Sequence, residues 1–275
     1  KIAKGNPWKI MLLFIIITTA LSAFLDNVTT VLLVGPMTIA ITGILGLNPV
    51  PFLLTQILAS SIGGTATLIG DPPNIMIGSQ AGLSFVDFVV NTGLAVVFIM
   101  IATCLCFYFL YGRKMVVEPD KMAAVMQLDE SKSIMDHGLL VKSVVMIGLV
   151  VLGFVFHSSL GVESCIIALA SATIMLLIGK QDTEEIVLGV EWSTILFFTG
   201  LFVVVGGMVQ TGVITALGGA LVAVTGGNTT LLMVLILWGS ALFSSFLDNI
   251  PFVATMIPLI LSMQADGMDV SALWW

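Results

Sequence analysis

Long apolar stretches follow one another along the whole chain, and each approaches the roughly 20 residues that a membrane-spanning helix needs. They cover residues 10–25, 88–111, 139–156, 166–178, 192–209 and 231–246. Only 9% of the residues are charged, whereas a soluble domain has about 25%. A bilayer leaves unpaired backbone groups unsatisfied, so a spanning segment must be a helix or part of a closed barrel. We therefore predict an all-α, multi-pass integral membrane protein.

The nine basic residues occur in three regions only, which predicts the orientation in the membrane. These are Lys1, Lys4 and Lys9; Arg113, Lys114, Lys121, Lys132 and Lys142; and Lys180. By the positive-inside rule these regions face the cytoplasm, and the loops near Gly82, Ser158, Gly227 and Gly267 face the other side. The chain starts with Lys1 and shows no cleavage site, so the first apolar stretch is expected to be a mature segment.

A sequence repeat divides the chain. Residues 22–36 are SAFLDNVTTVLLVGP and residues 244–258 are SSFLDNIPFVATMIP, with seven of fifteen positions identical at an offset of 222. The topology brings the first copy in from the cytoplasm and the second from outside, which predicts an inverted repeat. Counterparts of the segments around each copy would fall before Lys1 and after Trp275, so we expect a chain truncated at both ends.

The predicted organisation has a first-repeat part, 1–111, a cytoplasmic linker, 112–138, and a second-repeat part, 139–275. The first part is expected to hold a re-entrant hairpin at 9–45, a broken helix at 51–78 and a helix at 88–111. The second is expected to hold helices at 139–157, 164–179 and 191–212 and a re-entrant hairpin at 229–264. Part of the linker, the sequence KMAAVMQLDES, could form a short surface helix.

The repeated motif places the pairs Asp26–Asn27 and Asp248–Asn249 between apolar segments of about sixteen residues, which rise only about 24 Å as helices. If these segments turn back inside the membrane, the Asp-Asn tips lie at membrane depth, where an ionisable residue is a functional hypothesis. The alternative is that each Asp only caps the following helix. Both can hold, because a helix N-terminus also attracts an anion.

A second polar constellation lies at 60–74, SSIGGTATLIGDPPN. Glycine and proline interrupt a helix here and expose backbone oxygens and polar side chains within an apolar run. Oxygen-rich backbone of this kind suits a weakly hydrated cation or the polar head of a substrate; the alternative is a plain loop. The candidate ligands are Gly63, Gly64, Thr65, Thr67, Asp71 and Asn74.

The repeat, the segment IGGTATLIGDPPN and the run EWSTILFFTGLFVVVGGMVQTGVI together resemble the ion transporter superfamily. The similar group includes arsenite permeases, NhaD-type sodium/proton antiporters, the P protein of melanosomes and citrate transporter-like domains. The resemblance implies two inverted repeats, each with a re-entrant hairpin and a discontinuous helix. It places Asp26 and Asn27 at the first hairpin tip, 63–74 in the first broken helix, and Asp248 and Asn249 at the second tip. It also implies a homodimer with an elevator-like mechanism, and here the first helices and the second broken helix would be missing.

The expected function is secondary active transport of a small inorganic ion, coupled to a proton or sodium gradient. Sodium/proton antiport and arsenite or antimonite efflux are the leading forms, and a citrate-like organic anion is the alternative substrate. An intramembrane aspartyl protease and a passive channel are more distant alternatives. We expect no enzyme activity, no catalytic or metal site, no cofactor beyond the coupling ions Na⁺ or H⁺, and no nucleic-acid partner. The expected location is a bacterial plasma membrane.

Overall fold

The computed structural model describes residues 2–126 and 136–275, without the side chains of Ser158 and Ser159. The described residues form thirteen α-helices and short 3₁₀ turns, with no strand among them, which confirms the all-α prediction. The helices are α1 (Pro7–Ser22), α2 (Asn27–Leu45), α3 (Val50–Gly64), α4 (Pro72–Ala81), α5 (Phe85–Leu110), α6 (Pro119–Met126), α7 (His137–Leu160), α8 (Ser164–Gly179), α9 (Thr183–Leu188), α10 (Trp192–Gln210), α11 (Val213–Thr225), α12 (Thr229–Ser244) and α13 (Asn249–Ala265).

The chain divides into two compact units. The first holds Lys1–Asn74 and Ser84–Gln181, and the second holds Ile75–Leu83 and Asp182–Trp275. In the first unit, α1, α2 and α3 contact one another pairwise. Short turns join the three helices, at residues 23–26 and after Gly46, which is in the left-handed conformation. Their core is apolar and closed to solvent at Met11, Ile15 and Phe52.

Four further helices extend the first unit. Helix α5 has 26 residues and rises about 39 Å, and its N-terminus is closed by a capping box between Ser84 and Asp87. Helix α7 packs against α8, where Ile167 lies against the backbone of Gly153. Helix α6 lies in the predicted linker and contacts α2. The later part of KMAAVMQLDES falls outside the described residues.

The second unit is built from α10 to α13 and the end of α4. Helix α13 contacts α10, α11 and α12, and its core includes the buried residues Ile214, Leu232 and Met263. Met76 of α4 is buried in the same unit with Val205 and Ala254. Helices α9 and α11 were not predicted. Helix α11 has only 13 residues and follows α10 directly at Gly212, so its apolar sequence could not be separated from that of α10.

Among the described residues, four helical segments are long and apolar enough to cross a membrane: Asn27–Leu45, Phe85–Lys114, His137–His157 and Trp192–Gln210. The prediction of an integral membrane protein is therefore supported. Helix α1 has the sixteen residues expected of a hairpin arm, but α2 has 19 and rises about 28 Å. Helix α2 is therefore somewhat longer than the segment of about sixteen residues expected from the sequence, because it continues to Gly46.

Candidate functional site

The first hairpin tip is a four-residue turn that ends in a capped helix. Helix α1 ends at Ser22 and α2 begins at Asn27, with Asp26 as its N-cap. The Asp26 carboxylate accepts hydrogen bonds from the backbone N–H groups of Val28 at 3.0 Å and Thr29 at 3.2 Å. The capping alternative is thus realised. Asp26 and Asn27 are both half-buried, and the negative charge of Asp26 lies at the positive end of α2.

The second tip, in the second unit, has the same local design. Helix α12 ends at Ser244, and Asp248 is the N-cap of α13, accepting a hydrogen bond from the backbone N–H of Ile250 at 3.3 Å. Asp248 is exposed and Asn249 is half-buried. Both α2 and α13 also contain a proline, Pro36 and Pro258, at the same distance from the capping Asp.

The predicted break is present between α3 and α4, and its non-helical segment is shorter than the motif at 60–74. Helix α3 ends at Gly64 and α4 begins at Pro72, so residues 65–71 are non-helical. Gly63 and Gly64 form the last turn of α3, and Asn74 lies in the first turn of α4. Proline is tolerated at the start of α4 because the first N–H groups of a helix have no intrahelical partner.

The hairpin tip lies against this break. The Ser22 hydroxyl donates to the carbonyl of Ser60 at 2.7 Å, and the Thr67 hydroxyl donates to the carbonyl of Ala23. A Cβ atom on Gly63 would lie 2.8 Å from the Cα of Thr19, so only glycine permits this approach of α3 to α1. The structure therefore brings the tip that carries Asp26 together with the glycine-rich segment.

Two more glycines let the chain pass close to itself within the break. A Cβ atom on Gly64 would lie 2.7 Å from the carbonyl oxygen of Gly70, and a Cβ on Gly70 would lie 2.7 Å from the carbonyl oxygen of Ser22. Real Cβ atoms essentially never make contacts below 3.0 Å. The backbone of the tip and of the break is thus packed more tightly than any residue with a side chain allows.

Polar side chains of the motif support the loop from within. The Thr67 hydroxyl also accepts from the backbone N–H of Gly70 at 3.2 Å. The Asn74 amide donates to the carbonyls of Gly64 at 3.1 Å and Thr67 at 2.8 Å. The Thr65 side chain is exposed and donates to the carbonyl of Ser61 at 2.9 Å. In this conformation these groups hold the backbone in place, a role the sequence interpretation did not assign to them.

The tip and the break each carry one carboxylate. The N-terminus of α2 carries Asp26, the C-terminus of α3 presents carbonyls, and Asp71 lies half-buried just before α4. Carboxylate and carbonyl oxygens are ligands for hard cations. Within the described residues, no group of three His, Cys, Asp or Glu side chains is placed to hold a metal ion.

Buried polar residues inside α1, α2 and α3 were not predicted from the sequence. Gln56 of α3, Thr18 of α1 and Thr30 of α2 are fully shielded from solvent although they lie in apolar helices. Two sequence features could have indicated these buried residues: an amide in the middle of an apolar helix, and hydroxyl side chains four residues apart in a neighbouring helix, such as Thr38 and Thr42.

Comparison with known proteins relates the chain to membrane proteins, some of which are named as transporters. The whole chain is 44% identical to an uncharacterized transporter, Rv2684, of Mycobacterium tuberculosis and covers 65% of it. It is 40% identical to the 46 kDa membrane protein of Mycobacterium leprae, again over 65% of that protein. It is 28% identical to the P protein of Mus musculus, over 97% of this chain and 41% of the relative. The P protein match confirms the resemblance inferred from the motifs.

The chain thus spans about two thirds of the length of the mycobacterial relatives it matches, 65% in each case. The family described as citrate transporter matches residues 1–275. The helical fold, the apolar spans and the hairpin docked on a broken helix agree with that match. The chain belongs to the citrate transporter family.

Proposed function

We propose that the full-length protein is a secondary active transporter that moves a small ion across the membrane, coupled to a proton or sodium gradient. The observation that carries the proposal is the hydrogen bond from Thr67 to Ala23, which fixes the carboxylate-bearing tip to the broken helix. Ionisable residues and interrupted helices in a membrane segment are costly and mark ion pathways. The family match supports transport and gives no support to peptide hydrolysis.

The geometry at Asp26 gives a means of coupling. Both capping hydrogen bonds, from Val28 and Thr29, go to the same carboxylate atom, Oδ2. An ionised carboxylate has acceptor positions on both oxygens, so the cap does not require Oδ1. A proton and a cation can compete for Oδ1 while Oδ2 keeps α2 capped. Asp26 would then exchange one for the other without loss of the helix N-terminus.

The same contacts favour a cation over an anion at this tip. An anion would bind the N-terminal N–H groups of α2, but Asp26 already accepts from two of them and would repel it. Sodium/proton antiport therefore fits the tip better than arsenite or antimonite efflux. A citrate-like organic anion is the second candidate, favoured by the family match over residues 1–275.

Several features of the whole transporter follow as part of the proposal. The two capped tips, at Asp26 and Asp248, support an inverted repeat with one re-entrant hairpin in each half. Such repeats in other transporters move against one another around a midplane site. We propose an elevator-like movement in a homodimer in the plasma membrane, with the docked hairpin and broken helix moving as one body.

Flux measurements in vesicles that contain the full-length protein test the proposal. An imposed proton gradient is followed while sodium, arsenite or citrate is added separately, with protein-free vesicles as the control. Sodium/proton antiport predicts collapse of the gradient on addition of sodium alone. Citrate movement without a response to sodium would establish the second candidate. A substrate flux down its own gradient that persists with no proton gradient and no coupling ion would contradict coupled transport and indicate a channel.

A further inference from the structure

Helix α6, in the linker, contacts the first hairpin at both of its ends away from the tip. Just before α1, a Cβ atom on Gly5 would lie 2.7 Å from the Cβ atom and from the carbonyl oxygen of Met122. Just after α2, a Cβ atom on Gly46 would lie 3.3 Å from the Nζ atom of Lys121. Two consecutive residues of α6 thus bring these two ends together. We call Gly5 and Gly46 the open end of the hairpin.

Apolar packing secures the same contact. Three side chains of the linker pack against the buried core of α1, α2 and α3: Met115, Val117 and Val125. This core includes Ala3 and Leu45, which flank the open end and are 6% and 2% exposed. The linker therefore covers the open end with side chains as well as with the backbone of α6.

A charge of the linker complements α2. The C-terminus of a helix carries a partial negative charge, which a nearby cation stabilises. The last turn of α2 has no basic residue of its own, and the ammonium group beside Gly46 comes from Lys121. Lys121 also pairs with Glu118 at 3.1 Å. The linker thus supplies the positive charge that the end of α2 lacks.

Helix α6 depends on this docking. It has only eight residues, Pro119–Met126, and an isolated helix shorter than about 12–15 residues is marginal in water. The close approach at Gly5 also requires glycine, because the backbone there is left-handed with a φ of 72°. Release of α6 from the hairpin would therefore unfold it.

We propose that α6 is a clasp that holds the open end of the first hairpin together and thereby keeps the tip with Asp26 in the position that binds the transported ion. The chain joins α1 to α2 only at the tip, through residues 23–26, and the clasp links their other ends. Helix α2 is about 28 Å long, so Lys121 and Met122 are positioning residues that do not touch the ion. The effect on the tip rests on the proposed function, and the docking itself does not.

Trypsin digestion of the full-length protein in detergent tests the docking. Gly5→Ala places a methyl group against backbone atoms of Met122 and should release α6, so that cleavage after Lys121 becomes several-fold faster. The matched control is Gly82→Ala, because Gly82 has a similar φ of 69° but a Cβ there meets nothing within 4 Å. The control carries the same backbone strain and should be cleaved at the wild-type rate. Equal cleavage of the two variants would overturn the clasp.

Sodium-driven flux in vesicles tests the effect on the tip. Gly5→Ala should raise the sodium concentration that gives half-maximal flux several-fold over that of Gly82→Ala, because a displaced tip binds the ion more weakly. Loss of folded protein would lower the maximal flux alone, and that result would overturn the positioning role. If the wild type carries citrate without sodium, the proposed coupling fails, and the half-saturating citrate concentration tests the clasp instead.

A second pair of variants covers the case in which Gly5→Ala does not fold. The side chain of Ala124 is exposed in α6, so Ala124→Pro interrupts the helix and Ala124→Ser keeps it. The proline variant should be cleaved faster after Lys121 and should need more sodium for half-maximal flux, and the serine variant should match the wild type in both. Faster cleavage with unchanged half-saturation would mean that α6 docks without positioning the tip, which would overturn the proposal.

Discussion

Replacing Gly63 by alanine should separate the hairpin from the broken helix. A Cβ atom at this position would lie 2.8 Å from the Cα of Thr19, and closer still to its carbonyl oxygen. Both obstacles are backbone atoms of α1, so no side chain can rotate away. The added methyl group can be accommodated only if α1 and α3 move apart.

The size of this movement follows from the contact distances. Ordinary contact of a Cβ begins at 3.4 Å, so the Cα of Thr19 has to retreat by at least about 0.6 Å, and its nearer carbonyl oxygen has to retreat by more. The same displacement would lengthen the hydrogen bond between Ser22 and Ser60, now 2.7 Å, to about 3.3 Å, beyond the usual limit for a hydroxyl donor. Overpacking costs typically about 1–3 kcal/mol, and a rigid backbone obstacle places Gly63→Ala at the upper end of that range.

The assay combines thermal unfolding with ion flux in vesicles. Gly63→Ala should lower Tm and reduce flux, because the added methyl group forces apart the two helices that hold the hairpin on the break. The matched control is Gly43→Ala in α2 of the same hairpin, where a Cβ meets nothing within 4 Å and alanine favours the helix. Wild-type flux and Tm in Gly63→Ala would refute the close approach of the two helices.

The other predictions concern the loop, the second tip and one exposed cap. Thr67→Val should lower the free energy of unfolding by about 1–3 kcal/mol, because it leaves the Ala23 carbonyl and Gly70 N–H unpaired, and Thr67→Ser should restore most of the loss in thermal unfolding. Asn74→Asp should lower Tm more than Asn74→Ala, since a carboxylate would face two carbonyl oxygens; equal values would contradict the bracing role. Asp248→Asn should reduce flux in the vesicle assay, and unchanged flux would mean that only the first tip serves coupling. Hydrogen bonds from the backbone N–H of Leu139, and then from that of Gly138, hold the pKa of Asp136 below its ordinary value of 3.8. The stabilisation of α7 by the Asp136 carboxylate should therefore be present above pH 3.8 and be lost as the pH falls through the lowered pKa. Unfolding curves measured over a series of pH values should show this loss in the wild type and not in Asp136→Asn.

The sequence was sufficient to predict the elements that build the candidate site. The duplicated motif around Asp26 and Asp248 marks two tips, and both residues cap helices as the preference of Asp for N-caps suggests. The glycines and prolines at 63–73 predicted a break, and residues 65–71 are non-helical. These features were predictable because local backbone chemistry decides them.

The roles of individual side chains depend on tertiary contacts that spacing does not contain. The hydroxyl of Thr67 could equally well have faced an ion, but it donates to the carbonyl of Ala23, 44 residues away. The amide of Gln56 lies in an apolar helix, and only the docking of α1 and α2 shows that it is buried. The start of α11 could not be predicted, because its composition resembles that of α10 and only a short turn at Gly212 separates the two helices.

The most direct test of the central claim is the sodium-induced collapse of a proton gradient in vesicles carrying the wild-type full-length protein, Asp26→Asn or Asp136→Asn. Asparagine is a good N-cap, so both variants should fold, and Asp136 caps α7 outside the proposed site. We expect collapse with the wild type and with Asp136→Asn and none with Asp26→Asn. Normal collapse with Asp26→Asn would contradict the assignment of coupling to the first hairpin tip.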